Sequence, residues 1–91
     1  MPSYLVETYL ARGDATGRVA CEQRARSAAE ALTREGTRVR FDRAIHVPED
    51  EICFFVFDAP SSAEAATAAE LASLDSLRVV EAFPSGEEYR S

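Results

Sequence analysis

Stretches of β-branched and aromatic residues alternate along this chain with stretches whose apolar positions recur every three or four residues, and the alternation predicts six elements. Residues 4–10 (YLVETYL) read as a first strand, closed by the turn Arg12-Gly13-Asp14. A helix follows, with Asp14 or Thr16 placed to accept hydrogen bonds from its first amides. Its apolar stripe is Cys21, Ala25, Ala28 and Leu32, and Gly36 supplies the stop. Residues 37–47 (TRVRFDRAIHV) alternate as a second strand, with Val39, Phe41, Ile45 and Val47 on one side and Arg40, Asp42, Ala44 and His46 on the other. Pro48-Glu49-Asp50-Glu51 is a tight acidic turn, and residues 52–58 (ICFFVFD) form a third strand that is apolar on both faces. Ser61 with Glu64 matches a capping box opening an Ala-rich helix to about Leu71, and residues 76–83 (SLRVVEAF) are the fourth strand.

The order βαββαβ predicts an α+β, ferredoxin-like fold: a four-stranded antiparallel sheet, strand order 4-1-3-2, with both helices on one face. One domain spans residues 1–84, and residues 85–91 are a flexible tail with little to bury. If Ile52, Phe54 and Val56 point toward the helices, Phe55 and Phe57 lie on the open face, where large aromatic side chains mark an interface. A homodimer packed sheet against sheet, a dimeric α/β barrel, covers such a patch. The tail of the same chain is the competing cover.

Composition narrows the partners. The chain has 91 residues, and its 10 cations against 16 acidic residues leave a net charge of −6. Every cation is an arginine, and no basic stripe exists to track a phosphate backbone or an anionic membrane, so neither nucleic acid nor membrane is expected. No apolar run nears the ~20 residues of a membrane span, and the start Met1-Pro2-Ser3-Tyr4 lacks signal-peptide character, which points to the cytoplasm. A chain of this size buries only roughly 60–65% of its unfolded surface, so a metal or a partner subunit is the natural supplement. Cys21 and Cys53, on a predicted helix and a predicted strand, are read as free thiols.

The opening YLVETYL, residues 38–47, the run Val47-Pro48-Glu49-Asp50-Glu51-Ile52-Cys53-Phe54 and the run Phe57-Asp58-Ala59-Pro60-Ser61 together resemble the DUF4242 family of small actinobacterial proteins. The resemblance covers nearly the whole chain. It implies a ferredoxin-like, dimeric and, from one member, nickel-binding protein. The third strand departs from it, reading Cys53-Phe54-Phe55 where many relatives read Cys-Phe-His.

The hairpin register brings chemistry together independently. With residues 48–51 as the loop, Val47 opposes Ile52, His46 opposes Cys53, Ala44 opposes Phe55 and Asp42 opposes Phe57. His46 and Cys53 are then cross-strand neighbours, Cβ atoms ~5 Å apart, on the open face. Imidazole and thiolate so placed suit Ni²⁺, Zn²⁺ or another divalent transition metal, and equally an activated thiol. A metal needs further donors, with Asp50 at the turn the first candidate beside Glu51, Asp42 or a second subunit's His46. A partly buried cysteine beside a surface histidine is the plain alternative.

Glu7 and Glu81 sit on neighbouring first and fourth strands, where two close carboxylates across a cavity would make an acid–base pair. Arg43 conflicts with strict alternation, so either a bulge turns it outward or it meets a buried carboxylate. Tyr4, Tyr9 and Cys21 read as core or interface, and residues 49–51 lack the spacing of a calcium loop. The function expected first is a homodimeric metal-binding module using His46, Cys53 and Asp50, without an organic cofactor. An isomerase- or cyclase-type enzyme using Glu7 and Glu81 on a small-molecule ligand is the alternative, and a bare interaction domain the third.

Overall fold

The computed structural model describes residues 1–83. The elements run β1 (Ser3–Tyr9), α1 (Ala15–Arg34), β2 (Arg40–Val47), a 3₁₀ turn (Pro48–Asp50), β3 (Ile52–Asp58), α2 (Ser62–Leu71) and β4 (Ser76–Ala82). All pairings are antiparallel and the order across the sheet is β2-β3-β1-β4, the α+β ferredoxin-like arrangement read from the element pattern. Residue 84 and the tail 85–91 fall outside the described residues. No helix among the described residues is long and apolar enough to cross a membrane.

Local chemistry sets the ends of the elements. Asp14 caps α1, its Oδ1 accepting from the Gly17 amide at 2.9 Å, and Gly36 takes φ +101° just beyond the helix, where a side chain would be strained. At α2 the capping box is replaced by a contact between its two side chains: the Ser61 hydroxyl donates to the Glu64 carboxylate rather than accepting from a backbone amide. Pro48 opens the turn after β2, and Glu51 closes it in the left-handed conformation at φ 53°.

Both helices cover one face of the sheet, and three rows of side chains cross that face. The first is Phe41, Phe57, Tyr4 and Glu81; the second is Ala44, Phe55, Val6 and Val79; the third is His46, Cys53 and Thr8. Rings of the first two rows pack against the alanine faces of the helices, Ala25, Ala28 and Ala29 on α1 and Ala65, Ala68 and Ala69 on α2. Bulky strand side chains thus meet small helical ones, the complementarity a dense core requires. Phe41 stacks at an angle on Phe57, with ring centres 5.4 Å apart, and on Phe55 at 6.3 Å.

The face covered by the helices is the opposite of the one expected. Phe55 and Phe57 are buried in the core, and Ile52, Phe54, Val56 and Asp58 lie on the open face. The cause lies in the charged positions. Glu7, Arg40 and Asp58 share the phase of Phe54, and covering that face would have desolvated all three. On the open face they pair instead. Asp58 accepts from Ser3 Oγ at 2.7 Å and from Arg40 Nε at 3.0 Å, and Arg78 Nε donates to Glu7 Oε1 at 2.7 Å.

β2 carries a bulge between Phe41 and Arg43. Phe41, rather than Asp42, opposes Phe57, and the extra residue reverses the phase, so that Ala44 and His46 face inward while Arg43, Ile45 and Val47 face outward. Arg43 is therefore the outward-turned residue of a bulge, its Nε 3.3 Å from Asp42 Oδ2.

Candidate functional site

The hairpin register holds from Ala44 to the turn and fails at Asp42. Val47 opposes Ile52, His46 opposes Cys53 and Ala44 opposes Phe55. The His46–Cys53 pair nevertheless faces the helices and not the open sheet, because β3, and β2 beyond its bulge, run in the opposite phase to the one expected. Cys53 is fully buried, and Thr8 on the neighbouring strand donates its hydroxyl to the Cys53 carbonyl at 3.0 Å. His46 is half-buried, and its Nε2 is shut off from solvent with no hydrogen-bond partner. Burial of an unpartnered ring nitrogen costs free energy and calls for a reason.

The N-terminal half of α1 brings further polar groups toward this row. Burial pushes the Cys53 thiol from 9.0 up to about 11, with smaller contributions in the same direction from Cys21 and Glu22 and an opposing one from Arg18. Cys21, Glu22 and Arg18 are thus the ionisable groups of α1 whose fields reach the buried sulfur. Arg18 Nε lies 3.5 Å from Glu22 Oε1, out of hydrogen-bond geometry, and is itself buried without a partner. Arg24 donates to Cys21 Sγ at 3.2 Å and to the Ala72 carbonyl at 2.8 Å, tying α1 to the end of α2. Both cysteines are free thiols.

At neutral pH a thiol raised to about 11 is protonated, which removes the activated-nucleophile role that a neighbouring histidine suggested. Metal binding is a separate matter, since an ion displaces the thiol proton on coordination. Asp50 stands on the exposed 3₁₀ turn and does not join the pair: among the described residues no three His, Cys, Asp or Glu side chains gather closely enough to hold a metal ion. Sequence reasoning missed Cys21, Glu22 and Arg18 as neighbours of Cys53. The signal was present, because residues 18, 21, 22 and 25 lie on one helical face.

The carboxylate pair is not assembled. Glu7 opposes Arg78 on the open face, whereas Glu81 opposes Tyr4 on the helix side, so the sheet itself lies between them. Side chains alternate between faces along the ladder, and Glu7 and Glu81 are three ladder positions apart, an odd number. The Tyr4 phenol is pushed up by burial first and then by Glu81 and Glu64. Tyr4 is core, and Tyr9 is exposed on the open face. No family model, no curated protein and no solved structure matches this chain.

Proposed function

We propose that this protein is a small metal-binding module whose site is built on His46 and Cys53. The observation that carries the reading is the His46 Nε2, closed off from solvent and unpartnered, on the residue directly across the β2–β3 ladder from a buried thiol. Imidazole and thiolate are the donors preferred by borderline-soft divalent ions, Ni²⁺ and Zn²⁺ among them, and the resemblance to a family with a nickel-binding member agrees with that choice. Cys21 or Glu22 supplies the third donor, through a small movement of the N-terminal half of α1, and these replace Asp50 in the ligand set. The site so formed lies within one chain, beneath α1.

Assembly is a second part of the proposal. The open face presents Leu5, Ile45, Val47, Ile52, Phe54 and Val80 as one apolar field, bordered by the Arg40–Asp58 and Arg78–Glu7 pairs. A second copy of the chain, packed face to face about a two-fold axis, buries this field in a homodimer.

Calorimetric titration of the chain with Ni²⁺ and Zn²⁺ at pH 7.5 tests the metal site. Binding is expected with release of a proton, and Ni²⁺ is expected to give a thiolate-to-metal charge-transfer band in the near ultraviolet. His46→Ala and Cys53→Ala each weaken binding at least ~10-fold, the band vanishes in Cys53→Ala, and Cys21→Ala or Glu22→Gln identifies the third donor. Absence of binding at millimolar metal, or binding unchanged in both His46→Ala and Cys53→Ala, overturns the reading.

A further inference from the structure

A cleft of about 380 Å³ lies on the far side of the molecule from the His46–Cys53 row, where the C-terminal half of α1 passes the start of β2. We propose that it is a binding site for a small organic carboxylate with a flat apolar body. The inference is independent of the metal reading, with which it shares no residue.

The cleft exists because β2 is an edge strand, so nothing of the sheet lies beyond it, and because the α1 residue at its floor is the small Ala29. Its floor is apolar, formed by Ala29, Val39 and the ring of Phe41, all buried. Its rim is cationic. Arg26, Arg34 and Arg40 line it against a single carboxylate, Glu30, a local excess of two positive charges on a chain of net charge −6.

The arginines are not equivalent. Arg40 is committed to Asp58. Arg26 and Arg34 have no ion-pair partner among the described residues, and the Arg26 guanidinium stands 5.2 Å from the centre of the Phe41 ring. A ring, two unpaired guanidinium groups and a concave apolar floor are the parts from which a site for an aryl carboxylate is made. The planar anion forms paired hydrogen bonds with a guanidinium, and the apolar body takes its place on the floor. A volume near 380 Å³ falls within the range of small-ligand sites, at its lower end.

The test is an amide-resolved NMR titration with 1-naphthoate and, in parallel, its uncharged counterpart 1-naphthamide. Naphthoate is expected to bind with a Kd of about 1 mM or tighter, to move the amides of residues 26–41, and to leave those of residues 46–53 in place. The amide analogue binds at least ~10-fold more weakly, as naphthoate does to Arg26→Gln and Arg34→Gln. Both substitutions fall on exposed positions, so the spectrum of each free variant reports directly whether the fold is intact. Equal binding of acid and amide, shifts scattered over the surface, or affinity unchanged in both variants overturns the proposal.

Discussion

Two rows of side chains cross the same face of the sheet beneath the same helices, yet they are made differently. At one end, Phe41, Phe57 and Tyr4 bury rings against alanines. At the other, His46, Cys53 and Thr8 place an imidazole, a thiol and a hydroxyl in the equivalent positions, with Arg18, Cys21 and Glu22 of α1 nearby. The aromatic row explains itself through the area it removes from water. The polar row does not. Thr8 finds a partner in the Cys53 carbonyl, but His46 Nε2 and Arg18 Nε make no hydrogen bond. Folding alone favours three more apolar residues there, so the polar row is the part of the core that a function would need.

The largest test of the contrast is Phe57→Ala. Phe57 is fully buried in the centre of the aromatic row, touching Phe41, and the neighbouring alanines are too short to fill the space it leaves. A loss of about 3–5 kcal/mol is expected, a large part of the total stability of so small a domain. Denaturant unfolding followed by circular dichroism measures it. A loss below about 1 kcal/mol would mean that the aromatic row is not the stabilising end.

The contrast was only partly legible in the sequence. Element order, strand order and the His46–Cys53 register followed from spacing and from the length of the turn, which bind neighbours along the chain. Which face the helices cover did not follow from β3, because ICFFVFD is apolar in both phases and its alternation carries no preference. The charged residues hold that information. Glu7, Arg40 and Asp58 lie on one face of the sheet, and the cost of burying them keeps the helices off that face. The bulge at Asp42 was recognisable only through the misfit of Arg43, which strict alternation placed inside. The approach of Glu22 and Arg18 to Cys53 depends on how α1 lies across the sheet, a tertiary relation that spacing does not encode.

A smaller effect separates the rows by pH. The Cys53 thiol loses its proton near 11 in the folded chain and near 9.0 when exposed, so between these values the folded state holds a proton that the unfolded state has released. Stability from this group is complete below pH 9 and is lost as pH rises through 11, by about 3 kcal/mol. Tyr4, raised by burial and by Glu81 and Glu64, acts in the same direction. Comparison with Cys53→Ala isolates the thiol: chemical denaturation at pH 8 and pH 10.5 should show a smaller decline in the variant. Equal declines would place the thiol in contact with water.

The smallest effect has the opposite sign and bears most directly on the contrast. His46 stands between Ala44 and the turn on an edge strand, half-buried, with its Nε2 unpartnered. Leucine at this position keeps comparable volume and removes the unsatisfied nitrogen. If the polar row serves a function, His46→Leu stabilises the metal-free chain by about 0.5–1 kcal/mol, while abolishing Ni²⁺ and Zn²⁺ binding. Paired measurements, a denaturation curve without metal and a titration with it, distinguish the explanations. A variant that is both more stable and unable to bind shows that stability is forgone at this end of the core for the sake of a ligand. A variant that is less stable shows instead that the imidazole is packed to good effect where it lies, and that the third row, like the first, is held by its contacts alone.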